Sequence, residues 1–156
     1  MKLPRLAAAL LIMGSAVPFA HAQSGLDRPS GGSYVPRLND IMNLIQVEHA
    51  KLWYAGEARN WDLAAYELTQ LRAGLADAAV FYSGLPVSNV TTLATPISAI
   101  SDAIAAKDGK RFAGAVGELT TGCNSCHQSM QRSFVVIRVP AGKPSGNQVF
   151  QPQVKK

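Results

Sequence analysis

At 156 residues the chain is one domain long, and its 15 Lys and Arg against 10 Asp and Glu leave a net charge of only +5. The basic residues are scattered, with no run longer than Lys155-Lys156, which excludes the concentrated basic surface of a nucleic-acid binder. No Ser/His/Asp set, carboxylate pair or phosphate-cradling loop marks a hydrolase, and no enzymatic activity is expected.

The chain opens on a short basic stretch, Met1 to Arg5, followed by the apolar run LAAALLIMGSAV at 6–17. Pro18 and the small residues of Ala20-His21-Ala22 complete the layout of a secretory signal, with cleavage expected after Ala22. The apolar run is shorter than the roughly 20 residues of a spanning helix, so no stable membrane span is expected there or later. Cleavage removes Lys2, Arg5 and no acid, leaving 13 basic and 10 acidic residues. Export to a periplasmic, oxidising compartment matters most for the two cysteines, which would pair there unless otherwise occupied.

Residues 23–36, QSGLDRPSGGSYVP, read as a flexible lead-in. Four helical segments should then make up a domain over 37–133. The first covers about 37–58, where Leu38, Ile41, Met42, Ile45, His49, Leu52 and Trp53 recur at three- and four-residue steps on one face. Asn60 is placed to cap a second helix over about 61–82, with Ala64, Leu68, Leu71, Leu75, Ala78 and Tyr82 inward. SGLPVSN at 83–89 reads as a turn-rich break. The third helix is predicted to start with Thr95 as N-cap and Pro96 at the first helical position, to turn Ile97, Ile100 and Ile104 inward, and to close at Lys107-Asp108-Gly109. The fourth should run from about Lys110 to Arg132, with Phe112, Ala115, Val116, Leu119, Cys123 and either Cys126 or His127 inward. Short connections between amphipathic helices predict an all-α, antiparallel up-down-up-down four-helix bundle.

The β-branched FVVIRV at 134–139 is expected to lie extended over the bundle or its ligand. The Pro/Gly/Gln-rich tail from Ala141 should be poorly ordered, with Val149-Phe150 the exception. Residues 134–156 thus form an extended segment and tail.

The chemistry of the chain concentrates in Cys123-Asn124-Ser125-Cys126-His127, which holds its only two cysteines. CxxC followed by His is the signature of covalent haem attachment. An (i, i+3) thiol pair on one helical face matches two vinyl groups, and His127 would swing under the iron as proximal ligand. The other ring nitrogen of His127 then needs a carbonyl, water or carboxylate to fix the ring, and the sequence does not identify one. Two competitors fare worse. A thioredoxin-like dithiol wants its CxxC at a helix start in a βαβ setting, and this one lies deep in a helix. A closed zinc site wants four N/S ligands; the exported chain holds only two Cys and two His in total, with His49 far away in sequence, unless two subunits share a site. One covalent haem c on the last helix is the favoured cofactor.

With CNSCH on the fourth helix of an exported chain, the sequence resembles the class II cytochromes c, the cytochromes c prime and their six-coordinate relatives. The likeness covers 37–132 in architecture and implies a haem held by Cys123, Cys126 and His127 in a four-helix bundle. Where the family carries a basic residue four places past the histidine, this chain has Gln131, with Arg132 one later.

The ligand opposite His127 separates the functional readings. Met130 lies on the proximal side, which leaves Met42 and His49 on the first helix. In an up-down-up-down bundle the late part of helix four faces the early part of helix one, and His49 sits about 10 Å further along the axis than Met42. Met42 is therefore the preferred sixth ligand, where the six-coordinate relatives also keep theirs, and His49 the alternative. Each has a plainer role: Met42 as a core filler, His49 as a buried neutral imidazole. Trp53, Tyr54, Trp61, Tyr66 and Phe112 are expected in the core, those in the haem-side half lining the ring. Arg37, Lys51, Arg132 and Arg138 are the cations available to haem propionates.

These readings add up to a periplasmic electron carrier working with periplasmic redox partner proteins, with pairing to a second copy left open. The alternatives are a five-coordinate haem protein binding NO, CO or O2, and a haem-free helical domain with a disulfide.

Overall fold

The computed structural model describes residues 34–142, 144 and 146–153. The expected signal segment 1–22 and most of the lead-in lie outside the described residues. The described chain is helical, with no strand: α1 Leu38–Glu57, α2 Trp61–Phe81, α3 Val87–Thr92, α4 Ala94–Ala105 and α5 Gly109–Ser129. No helix among the described residues is long and apolar enough to cross a membrane.

The helix ends follow from local chemistry. Asn60 caps α2 by accepting the Leu63 N–H, and one Asp108 oxygen accepts the Lys110 and Arg111 N–H groups at the start of α5. In front of both caps the preceding helix closes with a Schellman motif. The N–H of Asn60 bonds to the Ala55 carbonyl and that of Asp108 to the Ala103 carbonyl, around Arg59 at φ 55° and Lys107 at φ 54°. Each reversal therefore ends one helix and caps the next within a few residues, which makes tight hairpins of α1–α2 and α4–α5.

The middle of the chain departs from expectation. Residues 83–89 are not all turn, since α3 begins at Val87. Thr95 is not an N-cap, because α4 already starts at Ala94 and Pro96 is its third residue. The second outcome has a plain physical cause: a proline is tolerated anywhere in a first turn, where N–H groups lack intrahelical acceptors anyway, whereas Pro86 stands just before α3 as its N-cap. Without an N–H on Pro96 the carbonyl of Thr92 loses its partner, and the chain breaks at Leu93 between two helical pieces. The last helix also ends three residues early, at Ser129.

Neighbouring helices meet in a definite order. Tyr82, at the end of α2, donates its hydroxyl to the Pro36 carbonyl just before α1, and Lys51 reaches Glu67 at 4.0 Å midway along. Asn89 on α3 donates to Ser129 at the end of α5 at 2.7 Å, and a Cβ on Gly122 would meet Leu93 at 2.6 Å. Between the hairpins, the end of α1 meets the start of α5, where the Phe112 ring occupies the space beside Gly56 that a Cβ would need. The predicted inward residues supply the core: Ile41, Ile45, Leu52, Ala64, Leu68, Leu71, Ala78, Tyr82, Ile100, Ile104, Phe112, Ala115, Val116 and Leu119 are all buried. Trp61 packs edge-on to Phe112 with ring centroids 5.9 Å apart.

Past α5 a turn takes in Ser133 and Phe134, and residues 135–140 follow with neither helix nor strand pairing. Further on the chain returns to the α1–α2 hairpin. Phe150 is buried against Tyr54, its carbonyl accepts from Asn60 at 3.0 Å, and Gln148 donates to Glu67 at 3.2 Å. Glu67 is a polar core residue with no signal in the periodicity. It is 1% exposed, and its Oε2 lacks a hydrogen-bond partner. Burial first, then the neighbouring Glu48 carboxyl, raises its carboxyl to about 7.

Candidate haem pocket at the open end

A cavity of about 340 Å³ lies where α1 begins and α5 ends, within the range of small-molecule pockets. All five residues singled out by sequence reach its wall: Cys123, Cys126 and His127 from α5, and Met42 and His49 from α1. Most of the remaining lining is aliphatic, from Leu38, Ile45, Leu71, Leu75, Leu93 and Ile137 among others. None of Trp53, Tyr54, Trp61, Tyr66 or Phe112 lines it, so the expectation of aromatic walls is corrected. Phe112 and Trp61 pack together at the opposite end, where the two hairpins close, and Trp53 and Tyr54 pack against the core, but Tyr66, also expected in the core, is 57% exposed.

Cys123 and Cys126 stand one turn apart on α5 and both face the cavity as free thiols. Burial, reinforced by the neighbouring Cys126, pushes the Cys123 thiol up to about 11. Burial also raises Cys126, partly offset by a hydrogen bond from Asn89. A dithiol redox site requires the opposite, a thiolate stabilised at a helix start or by a cation. These thiols lie fifteen and eighteen positions into α5, within an apolar wall. Among the described residues, no three His, Cys, Asp or Glu side chains gather to hold a bare metal ion.

His127 is held at two points. Its backbone carbonyl accepts from the Arg132 N–H at 2.7 Å, and the Gln131 N–H bonds to Gln128, around Gln131 at φ 57°. This is a third Schellman cap, and it gives Gln131 a role in chain reversal in place of a charge contact. On the side chain, Nδ1 lies 2.8 Å from the carbonyl of Val135. A carbonyl only accepts, so Nδ1 carries the proton and Nε2 the lone pair, the form in which imidazole binds a metal. The segment after α5 thereby supplies the partner that sequence reading left unassigned.

His49 is 3% exposed, and its Nε2 lies 2.8 Å from the Thr120 hydroxyl. That hydroxyl donates to the Val116 carbonyl at 2.8 Å, so it accepts from His49. Nε2 is therefore the protonated nitrogen of a neutral ring, and burial lowers the His49 pKa further. The contact also sets the register of α1 on α5. Met42 lies seven residues before His49 and His127 seven after Thr120, so Met42 and His127 stand about 10 Å along the two axes from this contact, at matching levels.

Of the four cations considered, Arg132 lines the cavity. Arg37 is paired with Asp40 at 2.9 Å, Lys51 with Glu48 at 3.4 Å, and Arg138 is exposed. Two thiols on one helical face, an imidazole with its lone pair free, the thioethers of Met42 and Met130, a cation and apolar walls together form a donor set that suits a covalently attached haem. No protein-family model, curated protein or solved structure matches the chain.

Proposed function

We propose that this chain is an exported c-type cytochrome that carries electrons in the periplasm through one covalently attached haem c. Its fold on this reading is an antiparallel up-down-up-down bundle, akin to the class II cytochromes c, with the haem on the last long helix. The observation that carries the proposal is the convergence of Cys123, Cys126, His127 and Met42 on one apolar cavity.

Each residue then has a defined task. Cys123 and Cys126 would hold the porphyrin through two thioethers, and His127 would hold the iron through Nε2. Met42 is favoured over His49 as the sixth ligand for two reasons: it stands level with His127, and the Nε2 of His49 is committed to Thr120. Arg132 is placed to meet a propionate. Bound there, haem supplies a one-electron iron couple, whose potential a thioether ligand raises relative to a second imidazole. The aliphatic walls keep water from the ring, and the chain itself performs no bond chemistry. Its partners are redox proteins that meet an exposed haem edge.

Absorption spectroscopy of protein co-expressed with haem-attachment machinery tests the ligand set. Sharp low-spin bands are expected, and Met42→Ala should convert them to a high-spin spectrum. A low-spin spectrum unchanged in Met42→Ala would transfer the sixth position to His49. A high-spin wild type that responds to NO would replace electron transfer by gas binding.

A further inference from the structure

Asn124, the first spacer residue of CNSCH, makes two side-chain hydrogen bonds to one distant residue. Its Nδ2 donates to the Ile137 carbonyl at 2.8 Å, and its Oδ1 accepts the Ile137 N–H at 2.8 Å. The pair satisfies both backbone groups of Ile137, as a neighbouring strand would. Ile137 stands two residues beyond Val135, whose carbonyl accepts from Nδ1 of His127. A closed ring of contacts results: Asn124 and His127 lie one turn apart on α5, Val135 and Ile137 lie two apart on the segment after it, and each pair is bonded across.

Besides this ring the segment has apolar contacts, Val139 against the core and Val135 and Ile137 in the cavity wall, none of which directs a backbone carbonyl. It pairs with no strand, and Phe134 and Val136 are 78% and 73% exposed. The turn before it is anchored to α5 through the Arg132 N–H, and the Val135 N–H bonds back to the Arg132 carbonyl at 2.8 Å. Those bonds bring the chain round without fixing the direction of the Val135 carbonyl beyond it. Asn124 supplies that second fixed point.

We infer that Asn124 is a positioning residue for His127: by clamping Ile137 it holds the Val135 carbonyl on Nδ1 and so keeps the Nε2 lone pair available to the cavity. The consequence for a haem iron rests on the cytochrome reading, whereas the tautomer itself does not. A bonded Nδ1–H makes the imidazole a stronger donor, which favours ferric iron and lowers the potential. The spacer of the motif thus tunes the ligand, a task separate from the spacing of the thiols.

Two readouts test this on the full exported chain. Nitrogen-15 NMR of His127 in the haem-free chain, at about two pH units above the ordinary imidazole pKa near 6.5, reports the tautomer directly. Wild type should be predominantly Nδ1–H. Asn124→Ala should reduce that preference by roughly fivefold, the factor that one neutral hydrogen bond is worth. Asn124→Asp keeps the acceptor and loses the donor, should fall between the two, and carries the test if the alanine variant fails to fold. In the haem-loaded protein, Asn124→Ala should raise the reduction potential, by up to about 59 mV for a tenfold change in a one-electron couple. Tautomer ratios unchanged in both variants would overturn the clamp. So would a changed tautomer with an unmoved potential, as far as tuning is concerned. A wild type that takes up no covalent haem would defeat the cytochrome reading while the tautomer experiment still decides the clamp.

Discussion

At the end where α1 finishes and α5 begins, Phe112 fills the space beside Gly56 and meets Trp61 edge-on, and Leu52, Ala55, Val116 and Leu119 are all fully enclosed. At the end where α1 begins and α5 finishes, the same two helices flank a cavity of about 340 Å³ bounded by thiols, two thioethers, imidazoles and aliphatic chains. One end is packed with rings and leaves no room; the other has donors and room. The contrast teaches where stability and function are kept in a small bundle. Aromatic packing at the closed end holds the hairpins together, so the open end can bury polar donors and leave a space between helices, both of which cost stability.

The largest expected effect breaks the closed end. Phe112→Ala should lower stability by about 3–5 kcal/mol, read by urea denaturation, because a buried ring is removed beside a glycine that cannot fill the gap. The spectrum of any haem-loaded protein that remains folded should be unchanged, since Phe112 does not line the cavity. A shifted spectrum would mean that the two ends are coupled.

A second variant probes the flank between them. Glu67 titrates at about 7 when folded, above its ordinary 4.5. Its contribution to stability is fully present below 4.5 and is lost as pH rises to about 7, because the unfolded chain releases that proton earlier. Glu67→Gln should remove this decline, giving a flatter stability profile between those limits. His49 works in the opposite sense: its lowered pKa gives stability that is present above about 6.5 and lost as pH falls through the folded value. An acid-side loss should therefore persist in Glu67→Gln.

The smallest effect concerns the reversal beside the cavity. Gln131 occupies a left-handed position at φ 57°, where glycine carries no steric cost. Gln131→Gly should be neutral or stabilising by up to about 1 kcal/mol in thermal denaturation. A clear loss would show that the glutamine side chain has a further contact role.

The features legible in the sequence were those set by local periodicity and short motifs. The stripes of α1, α2 and α5, the Asn60 cap and the reversal at Lys107-Asp108 all follow from residues within a turn or two of one another. Met42 and His49 could be ranked because their positions along one helix measure distance. The short α3 was missed because its six residues, VSNVTT, bury none of their side chains and so carry no stripe; Pro86 is indeed a boundary, the N-cap of α3, whereas Pro96 lies inside the first turn of α4. The buried Glu67, the Thr120 partner of His49 and the Asn124–Ile137 clamp were not legible. Each depends on which residue another element brings opposite, and no periodicity encodes that. FVVIRVP gave a partial signal as a segment lying over the bundle or its ligand, without indicating which carbonyl would meet His127.

The central claim is that the open end holds one covalent haem. The direct test is the intact mass of the exported chain after co-expression with haem-attachment machinery. The expected result is the mass of the chain lacking residues 1–22 plus one haem, with the addition absent from a Cys123→Ala/Cys126→Ala variant. A wild-type chain recovered at its bare polypeptide mass, with or without a disulfide, would contradict the account.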